Sequence, residues 1–176
     1  MKAQSFKTPI GNVHEKVIAR PLNMEVNSHN EKGIDLLDHR KGVEVKSCLI
    51  DPQSKDSRKR YSKWTLFDYQ LSWGKRYDVE LYCALGTYQL DLPVSRIWTR
   101  NPKRLEAHVT KREFWIVPWD WTTQFPIRHG KHHDYRYLVK EPKRGGLAPI
   151  PKTIHEISIP KGVLHFTEGV DPKMFV

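Results

Sequence analysis

Cysteine is scarce in this sequence, and long apolar runs and internal repeats are missing altogether. The two cysteines, Cys48 and Cys83, stand in apolar stretches without a CxxC spacing, which predicts small buried side chains rather than a disulfide or a zinc knuckle. No apolar run approaches the roughly 20 residues that span a bilayer, so we expect no membrane partner. The first residues, MKAQSFKTPIGN, lack the apolar segment of a secretory signal, so we expect a reducing, cytoplasmic location.

Acidic residues are the minority among the charged ones. Thirty Lys and Arg stand against twenty Asp and Glu, which gives a formal net charge of +10. An excess of this size favours a polyanionic partner, because each neutralised phosphate releases a counterion. Six Trp, seven Tyr and six Phe supply large apolar surfaces, and 176 residues suffice for one compact domain. We therefore expect a single folded domain, residues 1–176, that binds nucleic acid.

Local patterns in the first half predict a helix followed by a β-hairpin. The segment GNVHEKVIAR, from Gly11 to about Arg20, has apolar residues at helical spacing, and Pro21 closes it. The ten residues before it are expected to form a loose arm that stops at Thr8-Pro9. Farther along, GIDLLD and VEVKSCLI are two short β-rich runs around a turn, which predicts a hairpin.

The remaining patterns complete an α/β prediction. WTLFDYQLSW predicts a short helix with Gly74 just beyond its end, and YDVELYCALGTYQL predicts strands with a break near Gly86. FWIVPW predicts a strand for which Pro118 marks an edge or an ending. We expect a central mixed sheet flanked by helices, with a core at about 11–120 and irregular C-terminal additions at 121–176.

The predicted hairpin places charged residues on one side. In GIDLLD, Ile34 and Leu36 are expected to share one face of the strand while Asp35 projects from the other. In VEVKSC, Glu44 and Lys46 share the face opposite the two valines. Charges on the covered face of a strand need to pair or to bind a metal. The pattern therefore predicts that two acids and a lysine converge.

These residue types suit phosphodiester hydrolysis. Carboxylate oxygens are the ligands that Mg²⁺ prefers, so Asp35 and Glu44 are predicted metal ligands, with Mn²⁺ able to substitute. Lys46 would stabilise developing negative charge or orient the attacking water. Glu15, on the preceding helix, is predicted to help hold a metal or a water. Ser47 is a candidate phosphate contact, with a local hydrogen bond within the strand as its alternative.

The order of a helix bearing a glutamate, then GIDLLD, a turn and VEVKS, resembles the core of the PD-(D/E)xK nuclease superfamily over roughly residues 11–85. The resemblance implies a restriction endonuclease-like fold and places the family's metal-binding acids at Asp35 and Glu44. It places the family's lysine at Lys46 and its helical acid at Glu15. Ile34 stands where many members have proline. Some members carry a glutamine on the helix after the lysine strand, which makes Gln70 an auxiliary candidate.

Basic residues on both sides of this core are candidates for DNA contacts. The loop at 51–63 carries predicted phosphate contacts at Lys55, Arg58, Lys59, Arg60 and Lys63. In the segment RHGKHHDYR, Arg128 and Arg136 are predicted to read bases in a groove, because Arg pairs bidentately with guanine. The histidines of that segment allow zinc as an alternative, but no cysteines accompany them.

We therefore expect a Mg²⁺-dependent, site-specific DNA endonuclease of the restriction or homing type. Because a duplex needs two cuts, we expect a homodimer or a higher symmetric oligomer. A structure-specific Holliday-junction resolvase is the alternative enzyme. A non-catalytic nucleic-acid-binding module and a structural subunit with solvated hairpin acids are the alternatives from other classes.

Overall fold

The computed structural model describes residues 7–27, 33–51, 53–54, 62–92, 101–140, 164–167 and 173–174. Over these ranges the chain forms a sheet of seven strands and a second sheet of three strands, together with helices. The α/β class with a mixed central sheet, expected from the sequence, is confirmed. No helix in this part of the chain has the length and apolar composition needed to cross a bilayer.

The helices of the described ranges are short except for the first. They are α1 (Lys7–Leu22), α2 (Leu71–Tyr77) and α3 (Pro102–Glu106), with 3-10 helices at Asp68–Gln70 and Trp119–Gln124. The expectation that the first ten residues form a loose arm is wrong for residues 7–10, which belong to α1. Pro9 is tolerated because the first four N–H groups of a helix have no partner inside it.

The strands that these ranges contain are, in chain order, β1 (Glu25–Val26), β2 (Leu36–Leu37), β3 (Lys41–Leu49), β4 (Ser62–Phe67), β5 (Glu80–Leu90), β6 (Val109–Pro118), β7 (Ile127–Arg128), β8 (Tyr135–Lys140), β9 (Leu164–Thr167) and β10 (Lys173–Met174). The central sheet has the order β1-β2-β3-β5-β6-β9-β10, and the second sheet has the order β4-β8-β7. Only β3 and β5 pair in parallel among the strands described. The predicted hairpin is confirmed as the antiparallel pair β2-β3.

The two faces of the central sheet bury different partners. On one face, Val43, Ala84 and Phe114 pack against Ile18 of α1. On the other face, residues of β5 and β6 pack against the second sheet, the 3-10 helix Trp119–Gln124 and α2. The side chains of this second cluster include Cys48, Trp64, Leu66, Cys83, Leu85, Trp115, Trp119 and Leu138. Both cysteines are buried, and no disulfide joins them, as predicted.

The segment at 64–73 does not form the predicted helix throughout. Residues Ser62–Phe67 form β4, and α2 begins only at Leu71. Trp, Thr and Phe favour a pleated surface, and pairing of β4 with β8 outweighs the helical pattern of the segment. Gly74 lies inside α2 rather than beyond it, and a Cβ there would come within 3.2 Å of the Leu81 side chain.

The expected break at Gly86 is also wrong, because β5 is continuous from Glu80 to Leu90. A Cβ at Gly86 would lie 2.3 Å from the ring of Phe114, so glycine there serves close packing instead. The same residue's carbonyl accepts a hydrogen bond of 2.8 Å from Trp64 Nε1, which ties the two sheets together. Pro118 is the last residue of β6, which confirms the prediction that it marks the end of a strand; the alternative was an edge strand.

The C-terminal third is less irregular than expected. Strands β7 and β8 complete the second sheet, and β9 adds to β6 in the central sheet. These pairings connect residues after 121 to both sheets, because long-range contacts override the weak local periodicity of the segment.

Candidate active site

Strand β3 carries the central charged pair of the site. Glu44 alternates with Val43 and Val45, so its side chain lies on the face covered by the second sheet. It is 3 % exposed. Lys46, two residues on, places Nζ 2.6 Å from Glu44 Oε1. The predicted convergence of this acid and this lysine is therefore present.

Asp35 reaches the same strand from the residue before β2. Its Oδ2 accepts a hydrogen bond of 2.7 Å from the backbone N–H of Val45. The expectation that Ile34 and Leu36 share a face is wrong, because Ile34 belongs to the cluster on the side of the second sheet whereas Leu36 belongs to the cluster on the α1 side. Strand β2 is only two residues long, so its alternation does not extend back to Ile34. The hydrogen bond to β3 positions Asp35 instead.

The carboxyl groups of Asp35 and Glu44 are held where ionisation is unfavourable. Burial and, after it, the negative charge of Asp35 raise the pKa of Glu44 to about 7, against the opposing effects of Lys46 and Gln70. Burial also raises the pKa of Asp35, while the Val45 N–H and the Lys46 charge oppose that shift. Two acids thus share one lysine, and a further positive charge would stabilise both.

Lys46 is held in its charged form. Burial is the largest single effect and acts to lower the pKa of Lys46, but the charge and hydrogen bond of Glu44 together with the charge of Asp35 oppose it, so the pKa is raised overall. An amine with a raised pKa is a poor proton acceptor and a good fixed cation. Of the two roles predicted for Lys46, charge stabilisation fits this environment better than proton abstraction.

Gln70 belongs to the site more directly than the sequence indicated. It ends the 3-10 helix after β4, is 2 % exposed, and donates from Nε2 to Glu44 Oε1 at 2.5 Å. Its Oε1 accepts a hydrogen bond of 2.9 Å from the backbone N–H of Phe67. Because both ends of the amide are bonded, its donor is oriented toward Glu44. Among the described residues, the other carboxylate oxygen of Glu44, Oε2, is buried without a hydrogen-bond partner.

Glu15 approaches the site from α1. Burial and, after it, the charge of Asp35 raise the pKa of the half-buried Glu15 to about 7, while Lys16 opposes the shift. The role of Glu15 as an auxiliary metal ligand stays a prediction.

Ser47 and His14 form a contact that the sequence analysis missed. His14 Nδ1 lies 2.5 Å from Ser47 Oγ, so the serine faces α1 and not the face of Lys46. This contact does not fit the prediction that Ser47 touches phosphate, and it is not the predicted local bond within the strand either, because it joins β3 to a helix 33 residues away in the sequence. Burial lowers the pKa of His14 to about 3, helped by the nearby positive charge of Arg112, so the ring is neutral. The spacing of His14 and Ile18, both fully buried, is the signal that could have placed this histidine inside.

The predicted DNA contacts have different outcomes. Four of the loop residues, Lys55, Arg58, Lys59 and Arg60, lie outside the described residues. Lys63 is half-buried in β4, and its backbone N–H donates to Cys48 Sγ at 3.4 Å. Arg136 is 8 % exposed and its guanidinium donates to Asp68, so the prediction that it reads bases is wrong. Arg128 lies with its guanidinium 5.7 Å from the centre of the Tyr137 ring.

The donor set of the site fits a hard cation. Among the described residues, no group of three or more His, Cys, Asp or Glu side chains is arranged to hold a metal ion. Asp35 and Glu44 nevertheless supply carboxylate oxygens, one of them the unpartnered Glu44 Oε2. In the histidine segment, His129 Nδ1 lies 3.1 Å from Asp134 Oδ1, and the His133 ring lies against Tyr69.

The chain was also compared with known proteins. No family model, curated protein or solved structure matches it.

Proposed function

We propose that this protein is a Mg²⁺-dependent DNA endonuclease with a restriction endonuclease-like core. The observation that carries the proposal is the buried Glu44, which shares one lysine with Asp35 and keeps one carboxylate oxygen unpartnered among the described residues. A purely structural acid at 3 % exposure would be expected to satisfy both of its oxygens. An excess of buried negative charge is typical of a cation site.

Asp35 and Glu44 would hold the metal, and Glu15 would hold an additional metal contact or a water. Bound there, Mg²⁺ would activate water and offset charge on the phosphate, and Mn²⁺ would substitute for it. Gln70 keeps one oxygen of Glu44 fixed, which leaves the other oxygen for the ligand. Lys46 supplies a fixed positive charge beside the scissile phosphate.

DNA is the substrate that the net charge of +10 favours. The lysine beside the acids would also attract a phosphate group that the acids alone would repel. Because a duplex needs two cuts, we expect two copies of the chain to act as a symmetric dimer. Site-specific cleavage of the restriction or homing type is the expected activity, and resolution of four-way junctions is the alternative outcome of the same assay.

The test is cleavage of supercoiled plasmid, linear duplex and four-way-junction DNA, with and without Mg²⁺. We expect Mg²⁺-dependent cutting by the wild type and a loss of about a thousandfold or more in Asp35→Asn and Glu44→Gln, since a removed ligand takes the metal chemistry with it. Glu25→Gln, which changes an exposed acid on β1, is the matched control and should cut normally.

The same variants should bind DNA in Ca²⁺ as tightly as the wild type or slightly more tightly, because each loses a negative charge facing phosphate. Cleavage by Glu44→Gln near the wild-type rate would overturn the metal site. Tight DNA binding by the wild type with no cleavage in Mg²⁺ or Mn²⁺ would identify a non-catalytic binding module instead.

A further inference from the structure

The outer face of the second sheet forms a groove. Along β4, Trp64 and Leu66 point inward to the core, so Thr65 and Phe67 project from the opposite face. Tyr135 and Tyr137 lie opposite them on β8, in register with Phe67 and Thr65. Together with Arg128 of β7, these four side chains line a groove of about 400 Å³. A groove of this size admits a single nucleotide base.

Aromatic rings extend the groove toward the 3-10 helix after β4. The rings of Phe67 and Tyr69 stack at 5.5 Å, and the ring of His133 lies 4.6 Å from that of Tyr69. Tyr69 is 37 % exposed, and the histidine is exposed as well. Rings that pack on each other but remain open to solvent offer flat faces for a further ring. A planar base is the ligand that this surface fits.

Within the described part of the chain, three Lys or Arg side chains stand against two acids beside the groove, so the charge balance there is positive. The Arg128 guanidinium lies over the Tyr137 ring, and Lys131 is exposed in the same turn between β7 and β8. Two acids are nearby, but Asp68 accepts from Arg136 and Asp134 lies within hydrogen-bond distance of His129. The Arg136 charge therefore balances that of Asp68, and Asp134 has a histidine partner, so within the described residues Arg128 and Lys131 are left without an ion pair. Aromatic faces next to free cations are typical of surfaces that bind single-stranded nucleic acid.

We propose that this groove binds one unpaired base of a DNA strand, stacked on Phe67 and Tyr135, with Arg128 on the adjoining phosphate. The proposal rests on the proposed function for its choice of DNA, but it concerns binding and is tested without cleavage. It assigns the protein a preference for DNA that contains an unpaired or displaced nucleotide.

One side chain connects the groove to the acids. The backbone N–H of Phe67 donates to Gln70 Oε1, and Gln70 Nε2 donates to Glu44 Oε1. The strand that supplies a wall of the groove is thus bonded through a single amide to the proposed metal ligand. A base that stacks on Phe67 would be bound by the same element that orients Glu44.

The test uses a short duplex with one bulged 2-aminopurine nucleotide, in Ca²⁺ so that no strand is cut. Stacking on an aromatic ring quenches the fluorescence of this base. We expect quenching by the wild type and an affinity at least about tenfold higher than for the fully paired duplex, which is the scale of one stacked base. Tyr135→Leu and Phe67→Leu should lose the quenching and most of the preference.

Tyr77→Leu, which removes a partly buried ring on α2 outside the groove, is the matched control and should retain both. Arg128→Gln keeps the rings, and it should weaken binding to the bulged duplex while preserving the quenching at saturation. It also serves as the folded variant if a ring replacement unfolds the sheet. Equal affinity of the wild type for the two duplexes would overturn the proposal.

The two proposals fail in different ways. Mg²⁺-dependent cleavage with no quenching would remove the groove from DNA binding and leave the nuclease intact. Quenching that Tyr135→Leu abolishes, together with no cleavage of any DNA, would keep the groove and remove the nuclease. Quenching that persists in both Tyr135→Leu and Phe67→Leu would mean that the base stacks elsewhere, and it would overturn the proposal that this groove binds it.

Discussion

Two ion pairs of this protein, each with one buried side chain, are built in different ways. Arg136 of the second sheet pairs with Asp68 of the 3-10 helix after β4, and the two charges balance one to one. In the central sheet, Glu44 pairs with Lys46, but Asp35 brings a second negative charge to the same lysine. The first arrangement is electrically complete, whereas the second has an excess of acid. We infer that the balanced pair stabilises the fold and that the unbalanced cluster is kept for a ligand.

The positions of the two pairs support this division of roles. Asp68 begins the 3-10 helix that Gln70 ends, and the backbone N–H of Asp68 donates to the Asp134 carbonyl at 3.0 Å. Arg136 therefore helps to fix the helix from which Gln70 reaches Glu44. A buried pair whose partners are intact is a structural element, but a buried acid with an unpartnered oxygen destabilises the fold unless something binds it.

Replacing Lys46, the lysine of the unbalanced cluster, should give the largest loss of cleavage rate. Removing a fixed charge beside the reacting phosphate should slow single-turnover cleavage by about a hundredfold or more in Lys46→Ala. Lys46→Arg should also be badly impaired, because a planar guanidinium does not replace a compact ammonium. Lys111→Ala, an exposed position on β6, is the control. Normal single-turnover cleavage by Lys46→Ala would remove the lysine from the mechanism.

Gln70 should act on the metal requirement rather than on the maximal rate. Without its amide, Glu44 loses the hydrogen bond that orients it, so Gln70→Leu should need roughly 10 to 100 times more Mg²⁺ for half-maximal cleavage. Excess Mg²⁺ should restore most of the rate. Gln124→Leu, an exposed glutamine, should show the wild-type requirement. A Gln70→Leu protein with a reduced maximal rate and an unchanged Mg²⁺ requirement would contradict this positioning role.

Arg136 should affect stability far more than chemistry. Arg136→Met leaves Asp68 without its partner, and the free energy of unfolding should fall by about 2 kcal/mol, less than for a fully buried pair because Asp68 is partly exposed. The measurement is chemical denaturation, with the exposed Arg104→Met as control. The cleavage rate at saturating Mg²⁺ should be largely unchanged. An undiminished unfolding free energy would mean that the balanced pair does not stabilise the fold.

Substitution of Glu44 should change the free energy of unfolding in the opposite direction from substitution of Arg136. Its pKa in the folded state is raised from 4.5 to about 7, so its contribution to stability is lost as pH rises through that interval. In metal-free buffer, Glu44→Gln should therefore be more stable than the wild type by on the order of 1 kcal/mol at pH 8. At pH 4.5 and below, this gain should be absent. Thermal unfolding in the presence of a chelator measures this gain in stability. If Glu44→Gln were less stable than the wild type at pH 8, both ion pairs would stabilise the fold and the contrast between them would be wrong.

Local sequence predicted the parts of the site that lie on one hairpin. Glu44 and Lys46 are two residues apart on one strand, so alternation alone places them together. The sequence analysis also placed Asp35 near Glu44 and Lys46, but for the wrong reason. A hydrogen bond from the Val45 backbone N–H positions Asp35, and not the alternation of side chains along a strand. The mixed sheet was predictable from the order of apolar segments because it depends on the same local patterns.

The remainder depends on pairings between distant segments. Gln70 is oriented because β4 pairs with β8, and the local preference of Trp, Thr and Phe for strands did not by itself decide between a strand and a helix there. The burial of Arg136 follows from the same pairing, which is why its prediction as a base reader was wrong. Gly86 was misread as a break because the ring that it accommodates, Phe114, belongs to another strand. Tertiary contacts decide these positions, and short windows of sequence do not contain them.

The pairing of β4 with β8 also bears on how the chain folds during synthesis. Residues 15–70, which carry all the charged groups of the site, leave the ribosome before β8 has been made. Until then, Leu138 is missing from the cluster that contains Trp64 and Leu66, and we expect the hairpin acids to be solvated and to have ordinary carboxyl pKa values. Contacts between distant segments form slowly because the intervening loop must first close. The charged residues of the site are therefore among the first to be translated, but we expect their carboxyl groups to be among the last to acquire the raised pKa values of the folded protein.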